Sequence, residues 1–321
     1  MSSAAATNHA RTHASNTERG ALLSIVEAGK PGITRMVTIT SLVGFVLSIQ
    51  GRGVSWSSLA ILAAASAAGT ALSSMGANTL NEWMERDLDA LMPRTAHRPL
   101  PQRRISPRVA LVAGLIECVL GLVILTVFAN VFAAAVSFAC MVTYVAMYTP
   151  MKTRSPVSVL IGAIPGALPP LIGWAAAAGT QGQQSLLQAG GWSLFVLMFV
   201  WQIPHFMAIA WMYRADYSLG GFRVLAAEDP SGIRTARNML AWSILLIPAT
   251  LMPVWAMPDR VGWVYGGFAA CTGVGVVLLS LKFGKLRSRE AARRVFFASI
   301  AHLPLLLIVL VGESLFHRLT R

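Results

Sequence analysis

Near the end of a long apolar run, oxygen-bearing side chains recur at every fourth position. Asn81, Glu85 and Asp89 have this spacing, which places them on one face of a helix. Asp87, between Glu85 and Asp89, supplies a fourth oxygen donor, which binds either the metal or a basic neighbour. Hard cations such as Mg²⁺ take oxygen ligands. The pattern therefore predicts a helix end that holds Mg²⁺, with these four residues as candidate metal ligands.

Cationic side chains follow this acidic helix face at once. Arg94 and Arg98 lie in the same polar stretch, and guanidinium groups bind phosphate through paired hydrogen bonds. Carboxylates that hold Mg²⁺ beside arginines that hold phosphate match a Mg²⁺–diphosphate complex. Lys152 opens a short basic loop further along, where it serves either membrane topology or phosphate binding. A salt-bridged surface loop is the alternative interpretation of the acidic stretch.

A second polar stretch, 213–237, carries three more acids, Asp216, Glu228 and Asp229. Seven of the 13 acidic residues of the chain lie in this stretch and in 81–108. A solvated loop needs no such concentration of acids. We therefore expect the two stretches to share a site, with Asp216 as the metal ligand from the second one.

The composition is that of a membrane protein. Hydrophobic residues make up 55% of the chain and charged residues 12%, whereas soluble proteins carry about 25% charged residues. The net charge of +13 fits an anionic membrane surface better than nucleic acid, because the charges lie in loops between apolar runs. We expect the lipid bilayer as a partner and no nucleic-acid partner.

Nine apolar runs approach the length of about 20 residues that a membrane-spanning helix requires. They predict an all-α polytopic membrane protein with nine transmembrane helices around a central cavity. Two long polar loops follow the second and sixth runs, and this spacing indicates two related four-helix halves plus one further helix. The runs are Ile33–Gln50, Trp56–Leu80, Val109–Phe128, Val131–Thr149, Val157–Ala178, Gly191–Met212, Asn238–Met257, Val261–Leu281 and Val295–Phe316.

Positive charge predicts the orientation of these helices. With the N-terminus in the cytoplasm, the inside segments hold 22 of the 26 Lys and Arg residues, in agreement with the positive-inside rule. The C-terminus is then outside. Residues 1–30 are polar and lack the pattern of a signal peptide, so we expect a disordered cytoplasmic tail there. Residues 31–316 are expected to form one domain.

The acidic stretch resembles the signature of the UbiA-type intramembrane prenyltransferases. Their motif, Asn-Asp-x-x-Asp-x-x-x-Asp, follows the second helix, and here it reads Asn81-Glu82-x-x-Glu85-x-x-x-Asp89. With its extra acid, Asp87, the motif resembles that of one branch in particular, the protohaem IX farnesyltransferases, or haem O synthases. The resemblance extends over residues 30 to 315.

Two further segments resemble the same branch. They are Tyr148-Thr149-Pro150-Met151-Lys152 and Trp201-Gln202-Ile203-Pro204-His205-Phe206. The resemblance implies transfer of a farnesyl group from farnesyl diphosphate to a vinyl group of haem B, which gives haem O. Mg²⁺ is the implied cofactor, and haem B is a substrate. The implied location is the bacterial cytoplasmic (inner) membrane, with the active site on the cytoplasmic side and with haem A synthase or cytochrome oxidase assembly as further partners.

The site residues that follow from the motifs fall into three groups. The catalytic group is Asn81, Glu85, Asp89, Asp216 and Lys152. The expected metal ligands are Asn81, Glu85, Asp87, Asp89 and Asp216. The diphosphate-binding group is Arg94, Arg98 and Lys152. The pocket for haem and the prenyl chain is lined by His205, Tyr144, Tyr148, Trp201 and Phe206, because an allylic cation is stabilised by aromatic faces in a water-poor site.

His205 is the first candidate for contact with haem iron, since imidazole is a common haem ligand. It precedes Asp216 by about 16 Å if the helix continues, which is near the length of an extended farnesyl chain. A hydrogen bond between helices is an equal alternative for His205. His302, deep in the ninth run, is a weaker second candidate.

Two positions depart from the family pattern. Glu85 stands where the family usually has Asp, and Gly220 stands where the wider superfamily often has a second acid four residues after Asp216. Either Glu228 or Asp229 replaces that acid by folding back, or the metal has fewer protein ligands. Two other functions stay open: a sister prenyltransferase that acts on a quinone precursor or a chlorin, and a transporter, because broken helices with buried polar groups also occur there.

Overall fold

Residues 20–49 and 55–320 are described by a computed structural model, and all regular elements in these ranges are helices. Nine of the helices described are long and apolar enough to cross a membrane, which confirms the predicted number. They are α1 (Pro31–Ser48), α2 (Trp56–Asp89), α3 (Pro107–Phe128), α4 (Val131–Met151), α5 (Ser158–Ala177), α6 (Ala189–Met212), α7 (Ile233–Ala256), α8 (Trp263–Leu286) and α9 (Arg289–Leu319).

Helix α2 is longer than its apolar run. It continues past Leu80 to Asp89, so that 34 residues extend over roughly 50 Å, whereas the hydrocarbon core of a bilayer is about 30 Å thick. The acidic residues therefore lie on the last turns of the helix itself. The rigid helix fixes the spacing of their side chains in a way that a loop cannot.

Polar residues define where several helices begin. The side chains of Ser55, Ser106, Asn130 and Ser288 each accept a hydrogen bond from a backbone N–H of the first turn of α2, α3, α4 and α9, at 2.9 to 3.2 Å. Such N-caps satisfy donors that the helix leaves unpaired. Two spans are irregular inside: Thr143–Tyr148 of α4 is π-helical, and α5 is interrupted just before Pro169.

The helices pack as two sets of four. Helices α2 to α5 form one set and α6 to α9 the other, while α1 packs against α5 and α2. The two long polar loops follow the first helix of each set, α2 and α6. Small residues bring the backbones close together: a Cβ added to Gly76 of α2 would lie 2.6 Å from the backbone nitrogen of Cys118 in α3. The junction between the sets is made by α5 against α6 and by α1 against α9.

The polar loops of the two sets meet at one end of the bundle. The guanidinium of Arg94, in the loop after α2, lies 5.4 Å from the ring centre of Tyr213 at the end of α6. The backbone N–H of Arg223 donates to the carbonyl oxygen of Lys152, after α4, at 2.7 Å. The loops after α2, α4 and α6 are therefore neighbours in the structure.

The predicted disordered tail, 1–30, is corrected in its last part. Residues 1–19 lie outside the described ranges, but residues 20–28 are helical. Glu27 of this segment forms two hydrogen bonds with the guanidinium of Arg104, at 2.5 and 2.8 Å. The ion pair lowers the pKa of the Glu27 carboxyl. The segment is therefore attached to the loop after α2, because its charged side chain has a partner there.

Candidate active site

The last turns of α2 carry a buried acidic face. Asn81, Glu85 and Asp89 are 0%, 4% and 1% exposed, and their spacing places them on the same side of the helix, as predicted. Buried charges are stable only when they are paired or bind a metal. Each of the three therefore requires a partner of opposite charge or polarity from another segment.

Three cations from distant segments provide these partners. Lys30, before α1, donates from Nζ to Oδ1 of Asn81 at 2.5 Å. Lys152 Nζ, after α4, lies 2.8 Å from Oε1 of Glu85, and Nη1 of Arg98 lies 2.6 Å from Oδ2 of Asp89. The acidic face and its cations together form a compact polar cluster, which we call the acid–cation cluster. Two of its cations, Lys152 and Arg98, belong to the predicted diphosphate-binding group.

Lys30 was not among the predicted site residues. Its backbone has φ +50° and precedes Pro31, a combination that L-residues rarely adopt. Burial, and then the nearby charge of Arg98, lowers the pKa of Lys30 to about 7. The available sequence signal was a single lysine directly before the first apolar run, which looks the same as an ordinary topological charge.

The π-helical turn of α4 forms one wall of the cluster. Thr149 accepts a hydrogen bond from Asn81 Nδ2 at 2.9 Å, and it donates to the carbonyl oxygen of Tyr144. The rings of Tyr144 and Tyr148 stack with centroids 5.7 Å apart. Lys152 Nζ lies 4.7 Å from the Tyr148 ring centre. The structure thus places both predicted pocket tyrosines beside the acid–cation cluster.

Two effects act on the ammonium group of Lys152. Burial opposes its charge, but the adjacent Glu85 carboxylate outweighs burial and raises the pKa of Lys152 above its ordinary value. Lys152 therefore stays charged at neutral pH. A permanent cation in a partly buried position is suited to binding a diphosphate.

Arg94 is held between two rings of the second set. Its guanidinium lies 5.4 Å from the ring centre of Tyr213 and 5.6 Å from that of Tyr217. Asp216 lies between these tyrosines on a short helix, Arg214–Leu219, and is half-buried. Its carboxylate forms no ion pair with any residue that the structure describes. Arg94, from the first set, thus lies against the two tyrosines that flank Asp216 in the sequence.

Asp87 is placed apart from the other predicted ligands. Its side chain is 84% exposed and lies 3.5 Å from Arg86 Nη2. Two residues along a helix correspond to roughly half a turn, so Asp87 projects away from the face of Glu85 and Asp89. The structure does not bring this side chain into the acid–cation cluster.

Comparison with known proteins identifies the family of this chain. The model of the UbiA prenyltransferase family matches residues 37–302. This chain belongs to the UbiA prenyltransferase family. It is 38% identical over 293 residues to the protoheme IX farnesyltransferase of Opitutus terrae, which covers 91% of this chain and 94% of that protein. It is 40% identical over 283 residues to the protoheme IX farnesyltransferase of Anaeromyxobacter sp., covering 88% and 90%.

A solved structure has the same fold. A UbiA homologue from Archaeoglobus fulgidus bound to DMAPP and Mg²⁺ superposes with a TM-score of 0.64 at 14% identity, and it covers 92% of this chain and 98% of that chain. The predicted resemblance to the UbiA family is confirmed. The chain is a prenyltransferase and an integral membrane protein, which excludes the transporter alternative.

The two departures from the family motif have local explanations. Glu85 reaches Lys152 across the set, at 2.8 Å. Gly220 packs tightly, since a Cβ there would lie 2.9 Å from Sδ of Met92 and 3.0 Å from the ring of Phe222. An acidic side chain at position 220 would require these neighbours to move. In this UbiA chain, the position of the second acid is thus occupied by a glycine that lets the two polar loops pack closely.

The acids that were considered as replacements have other partners. Asp229 is buried and accepts hydrogen bonds from the backbone and side chain of Thr235 at the start of α7, at 2.8 and 3.0 Å. Burial raises the pKa of Asp229, but the hydrogen bonds from Thr235 and Ser231 outweigh burial and lower it. Glu228 pairs with Arg223 at 2.6 Å. Neither side chain folds back toward Asp216.

The donor set of the acidic face fits Mg²⁺ in its chemistry. Amide and carboxylate oxygens of Asn81, Glu85 and Asp89 are hard ligands, and Mg²⁺ typically binds one or two carboxylates together with substrate phosphates and water. Among the described residues, no three His, Cys, Asp or Glu side chains converge on one point. The set therefore suits an ion that arrives with a diphosphate rather than a cage formed by protein alone.

The remaining predicted pocket residues lie between α6 and α9. The ring of His205 stacks on Trp201 and on Phe296, with centroids 5.0 and 5.1 Å apart, and Phe206 is 5.8 Å away. His205 Nδ1 is 2.8 Å from Oγ of Ser299. This second aromatic group is joined to Tyr144 and Tyr148 by no hydrogen bond or ring contact among the described residues.

The hydrogen bonds of Ser299 determine the tautomer of His205. Ser299 donates its hydroxyl proton to the carbonyl oxygen of Phe296 at 2.7 Å, so it accepts from Nδ1–H of His205. Nε2 then carries the lone pair of the imidazole. His302, the second candidate, is 3% exposed, and neither of its ring nitrogens has a hydrogen-bond partner in the described part of the chain.

Proposed function

We propose that this chain transfers the farnesyl group of farnesyl diphosphate to a vinyl group of haem B and so forms haem O. The observation that carries the proposal is the acid–cation cluster at the end of α2, where Asn81, Glu85 and Asp89 face cations from three separate segments. This cluster has the charges that an isoprenoid diphosphate requires. The haem acceptor is supported by the relatives in Opitutus terrae and Anaeromyxobacter sp., both protoheme IX farnesyltransferases.

The cluster supports departure of the diphosphate. Asn81, Glu85 and Asp89 would hold Mg²⁺, with Asp216 from the second set as a further ligand. When bound, the ion supplies positive charge to the oxygens of the leaving group. Arg94 lies against two tyrosine rings with its Nε buried and without a hydrogen-bond partner, so it can donate to a phosphate without first breaking an ion pair.

Lys30, Lys152 and Arg98 already carry ion pairs or hydrogen bonds inside the cluster. With the metal held by Asn81, Glu85 and Asp89, the side chains of Lys30, Lys152 and Arg98 would be available to pair with the phosphate oxygens. Each charge would then have a partner in a partly buried site, where an unpaired charge would cost several kcal/mol. The cluster is therefore arranged to bind the substrate and its metal together.

The allylic carbon loses its bond to the diphosphate oxygen and becomes cationic. Tyr144 and Tyr148 stand beside Lys152 and present aromatic faces that stabilise such a cation. The terminal vinyl carbon of haem forms the new carbon–carbon bond with the farnesyl C1. Water then adds to the remaining cation next to the porphyrin and loses a proton, which gives a hydroxyethylfarnesyl side chain.

We further propose that residues 31–316 form one catalytic domain in the bacterial cytoplasmic membrane, with the site at the cytoplasmic face. The distribution of Lys and Arg supports this orientation, since the segments predicted to lie inside hold 22 of the 26. Haem O produced there would be passed to haem A synthase or to cytochrome oxidase assembly.

A comparison of two acceptors, supplied separately, tests the proposal. The purified protein in lipid nanodiscs is given farnesyl diphosphate and Mg²⁺ with either haem B or 4-hydroxybenzoate, and products are identified by mass. Haem B should gain one farnesyl group and one hydroxyl group, and 4-hydroxybenzoate should be unchanged. Excess chelator should stop the reaction. Farnesylated 4-hydroxybenzoate with unmodified haem would establish the quinone-precursor alternative instead.

A further inference from the structure

A cavity of about 440 Å³ lies between the end of α6 and the start of α9. We call it the α6/α9 cavity. Its size falls within the range of about 300–1,000 Å³ that is usual for ligand sites. It is lined by Met212, Tyr213, Arg289, Glu290, Arg293, Phe296 and Phe297. None of these residues belongs to the predicted pocket.

The lining is apolar at one end and cationic at the other. Phe296 and Phe297 lie one to two turns into α9, whereas Arg289 and Arg293 lie in its first turns and are exposed. Neither arginine forms an ion pair with an acid among the described residues, and the guanidinium of Arg293 lies 5.3 Å from the Phe297 ring centre. Glu290 is the only acid in the lining. Two arginines four residues apart lie on one face of a helix.

The cavity is connected to both parts of the site by shared residues. Tyr213 lines it and also holds the guanidinium of Arg94. Phe296 lines it and stacks on His205 at 5.1 Å. A ligand in this position is therefore next to the residues that we assign to diphosphate binding. It is also next to a histidine whose Nε2 has a free lone pair.

We propose that the α6/α9 cavity binds the porphyrin of haem, with Arg289 and Arg293 paired to its two propionates. The inference rests on the proposed function, because it assigns the place of the acceptor. Haem is flat, apolar over its ring and anionic at one edge, and the cavity has aromatic walls with two cations at its rim. The positive end of the α9 dipole adds to the attraction for carboxylates. Pairing at this edge would direct the opposite, vinyl-bearing edge away from the rim.

The test separates the propionates from the rest of the ligand. In zwitterionic nanodiscs, haem B is titrated by absorbance against wild type, the double variant Arg289→Gln with Arg293→Gln, and Arg294→Gln. Arg294 is exposed on the same helix but does not line the cavity, so it is the matched control. The double variant should bind haem about 10- to 100-fold more weakly, and Arg294→Gln should bind as wild type does.

Haem dimethyl ester completes the design, because it lacks the two carboxylates. Wild type should bind the ester about as weakly as the double variant binds haem B. The KM of the double variant for farnesyl diphosphate should stay unchanged. The proposal would be overturned if the double substitution weakened binding of haem B and of its dimethyl ester equally, or weakened neither. An effect seen only when anionic lipid is added would also overturn it, since the arginines would then bind lipid headgroups. Binding is measured without turnover, so a wild type that binds haem but forms no haem O contradicts the proposed function and leaves this assignment standing.

Discussion

At the scale of single residues, the acid–cation cluster depends on which side of α2 each acid occupies. Asp89 is 1% exposed and is paired to Arg98, while Asp87 is 84% exposed on the other side of the same turn. Two aspartates separated by one residue thus have different environments, one buried and one exposed. This difference allows a substitution experiment in which the same chemical change is made inside and outside the site.

We expect Asp89→Asn to lower kcat for prenyl transfer by about 100-fold or more while the protein still inserts and folds. The substitution removes one negative charge from the position that would hold the metal, and such electrostatic contacts have effects of this size. Asp87→Asn is the control and should stay within about twofold of wild type. Normal turnover by Asp89→Asn would falsify the metal assignment. Turnover is measured as product formed per minute in nanodiscs.

Lys30 leads to a second expectation at this scale. Lys30→Met should reduce kcat/KM for farnesyl diphosphate by about tenfold or more, because it removes a buried amino group that donates to Asn81 at 2.5 Å. Lys282→Met makes the same change at an exposed position of α8 and should have no effect. If both variants kept wild-type kcat/KM, Lys30 would be only a structural partner of Asn81.

At the scale of helices, a few tertiary contacts decide how the polar loops are held. Glu82 is buried like its neighbours on α2, but Oε1 accepts from the backbone N–H of Leu100 at 3.1 Å. It therefore anchors the loop after α2 to the helix. In the second set, Asp229 holds the start of α7 in the same way, because it accepts a hydrogen bond from the backbone N–H of Thr235.

Removing that contact should destabilise the protein without changing the chemistry. We expect Asp229→Ala to lower the free energy of unfolding by about 1–2 kcal/mol, since it removes acceptors for Thr235 at a helix start. Glu228→Ala, which removes the exposed pair with Arg223, should cost at most about 1 kcal/mol. Thermal unfolding in detergent measures both variants. Equal losses would contradict the assigned difference.

The pH dependence of this difference has a definite sign. The pKa of Asp229 is lower in the folded protein than its ordinary value. Its stabilising contribution is therefore complete above the unfolded pKa of about 3.9 and is lost as the pH falls through the folded value. The stability gap between wild type and Asp229→Ala should be the same at pH 7 and pH 5 and should narrow only under stronger acid.

The sequence predicts the elements better than the contacts between them. Hydropathy is a local property, so the nine spans and the shared face of Asn81, Glu85 and Asp89 could be predicted from spacing alone. Lys30 and the cap at Asp229 depend on packing across more than one loop or helix, for which single-sequence patterns contain no signal. The separation of His205 from Tyr144 has the same origin, because it depends on which helices become neighbours.

At the scale of the whole molecule, the two four-helix sets place their polar loops at one end. The distribution of Lys and Arg predicts that this end faces the cytoplasm, with the C-terminus on the other side. Alkaline phosphatase, which is active only outside the cytoplasm, should be active when fused after Arg321 and inactive when fused at Ser218. Green fluorescent protein should give the opposite pattern. An active phosphatase at Ser218 would reverse the orientation and place the cluster outside.

The three cations of the cluster come from positions 30, 98 and 152, and the rings that hold Arg94 come from positions 213 and 217. Ribosomal synthesis delivers these residues in that order, so a nascent chain has no complete diphosphate site until six helices have entered the bilayer. Truncated or half-inserted copies would therefore be unable to ionise isoprenoid diphosphates. On the proposed assignment, diphosphate binding is therefore a property of the complete helix bundle and of none of its separate segments.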